Sequence, residues 1–209
     1  MDSFARLGLP RQPWFEPDLI QSKFLSLSTQ HHPDHFPNSA EKSAAEKLFA
    51  EINTAHQTLR SNSARVAHLL QLETGENLKH VQEIPPEAMA FFNDVAKITR
   101  GLDKFLSEKN PDNSPMLNVY YFERAIEWTD IVQELQTRIT AQIRKLEEEL
   151  KSMNPAWESA PPPAGHSSNQ TRANVLPIAR LRSISGALSF LEKWNAQLHE
   201  KLALLAQIS

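Results

Sequence analysis

The chain has 209 residues, room for one large domain or two small ones, and its 40% hydrophobic and 22% charged side chains are ordinary for a soluble globular protein. A net charge of -3 and a pI near 6.2 leave no basic footprint for nucleic acid or an anionic membrane. With no cysteine, the chain is excluded from disulfides, thiolate catalysis, zinc ribbons and thiolate ligation of an iron-sulfur cluster.

The start Met1-Asp2-Ser3-Phe4 lacks the basic and apolar regions of a secretory signal, and no apolar run is long enough to span a bilayer, so a cytoplasmic protein without membrane contact is expected. Only five glycines occur and apolar residues recur at three and four positions, which predicts an all-α fold. A short element around Phe4, Leu7 and Leu9 ends at Gly8-Leu9-Pro10. Pro17 suits the first turn of a helix over 17–31, with Phe15 placed to pack back on it. Its set Ile20, Phe24, Leu27 and His31 predicts one buried stripe, and Pro33 stops the helix by driving His32 out of helical geometry.

After the polar loop Phe36-Pro37-Asn38-Ser39, a helix over 40–60 places Leu48, Ile52, Ala55 and Leu59 on one face, antiparallel to the first. Another over 63–73 carries Val66, Leu69, Leu70 and Leu72 and closes at Gly75. Residues 1–75 are assigned to one domain, 76–85 to a linker, and 86–209 to a three-helix bundle with helices over 86–107, 115–153 and 175–208. In the middle helix Val119, Phe122, Ile126, Val132, Leu135, Ile139, Ile143, Leu146 and Leu150 predict the buried seam. Residues 154–174, rich in Pro, Ser, Asn and Ala, predict a disordered loop, with Trp157 capping the helix before it.

The sharpest local feature is His32-Pro33-Asp34 at the mouth of the antiparallel pair. Alone, it also reads as a helix terminator in which Asp34 satisfies loop N–H groups. Pro33 restricts its own dihedral and that of His32, so little entropy is lost when the loop docks on a partner. Asp34 offers a carboxylate for a cation, and His32 a ring that stacks and hydrogen-bonds. None of them needs covalent chemistry, so a non-enzymatic role is expected. His31, His32 and His35 raise a metal site, but rings at 31 and 32 diverge and no carboxylate pattern completes the set; neither metal nor cofactor is expected. His56 and His68 read as surface or packing residues.

Over residues 2–73 the sequence resembles a J domain: Phe4 with Leu7-Gly8-Leu9-Pro10, Phe24 with Leu27, His32-Pro33-Asp34 with Phe36, Ile52-Asn53 with Ala55 and Leu59, and Arg65 with Leu69-Leu70 fall in order. The resemblance implies that His32, Pro33 and Asp34 contact the ATPase domain of a DnaK-type chaperone. J domains usually carry a basic face on the helix before the tripeptide; here Lys23 is its one formal cation, and the lysine that usually follows the tripeptide is replaced by His35. Docking through Lys23 and His35 is therefore expected to be weaker or pH-sensitive.

A J domain leading directly into a helical bundle, with no Gly/Phe-rich linker or Cys-rich module, is similar to the HscB-type co-chaperones. That resemblance implies stimulation of a DnaK/HscA-type ATPase and delivery of an iron-sulfur cluster scaffold protein through the first bundle helix. The corresponding client-binding residues here are Phe92, Val95, Ala96, Lys97 and Arg100, with basic flanks where the family has acidic ones. A J protein for a different client and a helical structural adaptor are the alternatives.

Overall fold

The computed structural model describes residues 1–36, 39–75, 84–108, 115–162 and 168–208, with the side chains of 39 and 168–171 left aside. Among these residues every regular element is helical, and no helix is long and apolar enough to cross a membrane. The chain divides into two compact units, Met1–Val81 with Glu147–Ser185, and Gln82–Leu146 with Gly186–Ser209. Of the expected linker, residues 76–83 lie outside the described residues.

In the first unit, Asp2 starts α1 (Ser3–Arg6): its Oδ1 accepts from the N–H groups of Phe4 and Ala5 at 3.0 and 3.2 Å, while its other oxygen takes Arg11 at 2.8 Å. Gly8, at φ 63°, turns the chain after α1 in a conformation that disfavours any residue with a Cβ. Pro17 opens α2 (Pro17–Gln30) at its first position, and His32 becomes extended ahead of a turn of 3₁₀ helix, Pro33–His35. Next come α3 (Ser39–Arg60) and α4 (Asn62–Thr74); the Ser61 hydroxyl caps α4 by accepting from Ala64, and Gly75 closes it at φ 74°.

Helices α1, α2 and α4 and the 3₁₀ turn all pack on α3. Phe4, Leu7, Phe15, Ile20, Ile52, Ala55, Leu59, Val66, Leu69 and Leu70 fill the centre, each large apolar side chain contributing about 1.5–3 kcal/mol by leaving water. The stripe expected on α2 is buried only at Ile20. Phe24, Leu27 and His31 are half-buried, because Phe24 lies flat on the half-buried ring of His56, centroids 4.0 Å apart, rather than in the centre. Buried Arg65 holds α4 to what precedes it: Nε donates to the Pro13 carbonyl at 3.0 Å and Nη1 to the Leu59 carbonyl at 2.7 Å, while Nη2 donates to Asn62 of α4 itself.

The expected loop over 154–174 requires correction. The long helix following α5 (Pro86–Glu108), α6 (Pro115–Ser159), continues through Pro155, and a further helix, α7 (Ser168–Val175), follows; residues 163–167 lie outside the described residues. Tertiary contacts override the local breakers. The Asn154 side chain accepts from the Trp14 N–H and donates to the Trp14 carbonyl, at 3.1 and 3.0 Å, and Trp157 is buried in the unit's core. Lys151 sits over the Trp14 ring, and Asn62 donates to Glu147. Helix α7 packs on α4, where Arg172 Nε meets Glu73 at 2.8 Å, both side chains buried. The last predicted helix is broken at Leu176-Pro177, and α8 spans Ile178–Leu205.

In the second unit Ala88, Val95, Leu102 and Phe105 of α5 share a core with Val132, Leu135 and Ile139 of α6 and Leu188, Leu191 and Leu198 of α8. The expected seam of α6 is corrected over its first turns: Val119, Phe122 and Ile126 are exposed, and Ala125 is buried instead. Two aromatics set that rotation. Tyr121 packs on Phe105 and donates its hydroxyl to the Glu108 carbonyl, and Trp128 enters a notch at Gly101, where an added Cβ would lie 2.6 Å from the indole ring. Surface pairs tie α5 to its neighbours, Asp94 to Arg138 at 3.0 Å and Asp103 to Lys201.

Candidate functional site

The mouth of the α2–α3 hairpin is built by backbone constraints and one aromatic support. Pro33 holds His32 extended at φ -65° and ψ 129°, and the turn closes through the His35 N–H to the His32 carbonyl at 3.0 Å and the Phe36 N–H to the Pro33 carbonyl at 3.1 Å. The His32 Nδ1 accepts from the Asp34 N–H at 3.3 Å, and the Asp34 carboxylate lies 3.6 Å from the same nitrogen. The edge of the His32 ring meets Phe49 on α3, centroids 5.4 Å apart at 75°. Phe49 was not among the residues anticipated from sequence, where it stands next to the Leu48 expected on the packing face of that helix.

This arrangement leaves His32 oriented and Asp34 projecting, its side chain 76% exposed. Among the described residues Asp34 has no lysine or arginine partner, so its acceptor capacity faces outward. His35 is exposed with its ring 5.9 Å from that of His32, and Lys23 is exposed on α2. All five anticipated residues thus remain accessible. Beneath them, His56 pins α2 to α3 through its stack on Phe24 and a 3.2 Å hydrogen bond with Gln21. Burial, followed by the charge of Arg60, lowers the His56 pKa and favours the neutral ring.

The five residues expected on α5 do not form one patch. Phe92, Ala96 and Arg100, at successive offsets of four, share a stripe, with Phe92 42% exposed and its ring 6.4 Å from Trp194 of α8. Val95 is withdrawn from the set, since it is 5% exposed and belongs to the core. Lys97 lies to one side of that stripe, along a groove of about 300 Å³ with Ile98, Trp128 and Arg138. Phe190 and Trp194, whose rings meet at a tilt with centroids 5.6 Å apart, extend the Phe92 stripe onto α8 and were not anticipated from sequence.

Residues 2–68 match the family model of the DnaJ domain. The chain carries a DnaJ domain. Beyond it, the structure is similar to the crystal structure of human co-chaperone protein HscB, with a TM-score of 0.55 and 17% identity, over 96% of this chain and 82% of that chain. It is also similar to chaperone HscB from Vibrio cholerae, at 22% identity and a TM-score of 0.49, over 95% of this chain and 99% of that one. The likeness to the human structure shows that the DnaJ domain is followed by the helical fold found in HscB. In these terms the His32-Pro33-Asp34 turn is the mouth of the DnaJ domain, and the Phe92 stripe belongs to the helices that follow it.

Proposed function

We propose that this protein is a non-enzymatic co-chaperone that stimulates ATP hydrolysis by a DnaK/HscA-type chaperone and brings an iron-sulfur cluster scaffold protein to it. The observation that carries the reading is the His32-Pro33-Asp34 turn, braced by Phe49 and leaving the Asp34 carboxylate open to a partner's cation. His32, Pro33 and Asp34 form the chaperone contact, with Lys23 and His35 at its border. No bond is made or broken here; the turn binds one conformer of the chaperone better than another and shifts its equilibrium. The scaffold docks on the stripe of Phe92, Ala96 and Arg100, with Lys97 beside it. Because Lys97 and Arg100 are basic, the scaffold meets them with an acidic face.

The test uses the full chain. Added to a DnaK-type chaperone, it raises steady-state ATP hydrolysis, and His32→Gln removes the increase while far-UV circular dichroism stays unchanged. Absence of stimulation by the unmodified protein would overturn the co-chaperone reading. Retention of the cognate scaffold at micromolar concentration, weakened by Phe92→Ser, tests the client; failure there with stimulation intact leaves a J protein that serves another client.

A further inference from the structure

Of the fourteen large apolar side chains exposed among the described residues, seven lie between Met116 and Ile131 on α6. Their spacing is ordered. Val119, Phe122 and Ile126, at steps of three and four, form one exposed row along the helix, beside the buried row of Ala125 and Val132. Glu123, Glu127 and Asp130, at steps of four and three, form an adjacent row, with exposed Met116 and Tyr120 beyond it. Glu127 is paired with Arg124, whereas Glu123 and Asp130 have no ion pair among the described residues. The face is therefore apolar and anionic along its length.

We propose that this face of α6 is a docking surface for a partner helix that carries basic side chains beside an apolar row. Charge selects that occupant over the others. A second copy of the chain would bring its own carboxylates against Glu123 and Asp130, and an anionic membrane would meet the same repulsion. A basic amphipathic helix buries Val119, Phe122 and Ile126 while pairing both carboxylates. The surface is distinct from the Phe92 stripe, which runs toward Trp194 of α8, and it does not depend on the function proposed above.

The experiment titrates the full chain with a fluorescent synthetic amphipathic helix of Leu and Lys, and with a Leu/Glu helix of the same length. The Leu/Lys helix binds saturably and the Leu/Glu helix does not. Phe122→Ser with Ile126→Ser weakens binding about tenfold or more, and Glu123→Lys with Asp130→Lys weakens it about tenfold and admits the Leu/Glu helix. Phe92→Ser leaves the affinity unchanged. Equal binding of both helices, or affinity indifferent to the α6 variants, overturns the proposal. So does a concentration-dependent dimer, or binding to phosphatidylserine vesicles, that the Phe122→Ser, Ile126→Ser variant abolishes. The altered side chains are exposed, so circular dichroism is expected to match the parent.

Discussion

The two units are held by different means. In the first, charged side chains are buried and paired: Arg65 reaches three oxygens and Arg172 meets Glu73 out of solvent. In the second, ion pairs between helices such as Asp94 with Arg138 and Asp103 with Lys201 involve exposed carboxylates, and large apolar side chains remain outside the core along α6. Buried polar networks tolerate few alternative arrangements, so the first unit suits the presentation of a short motif in one geometry. Apolar side chains left outside offer area that a partner can bury, so the second unit suits docking of extended surfaces.

The comparison is sharpest when one ion pair from each unit is removed. Arg172→Ala leaves Glu73 buried without its cation, and the expected loss is about 3–5 kcal/mol. Arg138→Ala breaks an exposed pair and forfeits about 0–1 kcal/mol. Urea unfolding of both variants measures the contrast, and equal losses would erase the distinction drawn between the units. Among the described residues the Glu73 Oε1 has no hydrogen-bond partner, which makes the contact of Arg172 with its other oxygen more consequential.

A smaller effect belongs to the notch in α5. Gly101→Ala gains about 1 kcal/mol of helix propensity, but its Cβ meets Trp128 at 2.6 Å and overpacking costs about 1–3 kcal/mol. The net expectation is a loss of about 1 kcal/mol, the difference of those two magnitudes. In a Trp128→Leu background the same substitution becomes stabilising, and a double-mutant cycle reads the coupling. If Gly101→Ala destabilises both backgrounds alike, Trp128 is not what requires the glycine.

Much of the DnaJ domain was legible because its information is local. Proline at a first turn, glycine at a helix end and the spacing of Ile52, Ala55 and Leu59 each dictate a conformation without reference to distant chain. The tripeptide was legible for the same reason. Phe49 was not, since its contact with His32 exists only after α3 folds back along the turn. Helix continuation through Pro155 was hidden in Trp14, more than a hundred residues away, whose backbone is bound by Asn154. The start of α6 misled because two apolar rows flank that helix, and composition cannot say which one faces the core until Tyr121 and Trp128 find Phe105 and Gly101. The same ambiguity made Val95 look available on α5, where its neighbour Phe92 is the exposed member.

The smallest expected effect is a dependence on acid carried by the first unit. His68 lies flat against Phe4, centroids 5.8 Å apart, and its Nε2 accepts from the Ser3 N–H at 3.0 Å, so the ring must be unprotonated on that nitrogen to hold α1. Burial lowers its pKa most; Asp2 opposes, while the N-terminal ammonium and Arg11 act in the same direction as burial. The folded form therefore binds this proton less readily than the unfolded chain, and stability rises with pH across the interval between the two pKa values. The contribution is complete above the unfolded value of about 6.5 and is lost as pH falls from there through the folded pKa. His56, lowered by burial and Arg60, adds a loss of the same sign in the same unit. Thermal unfolding at pH 7.5 and 5.5 should thus show a fall in Tm that His68→Gln, which keeps an acceptor for Ser3, reduces. An identical fall in the variant would place the acid sensitivity elsewhere than at the hydrogen bond joining α1 to α4.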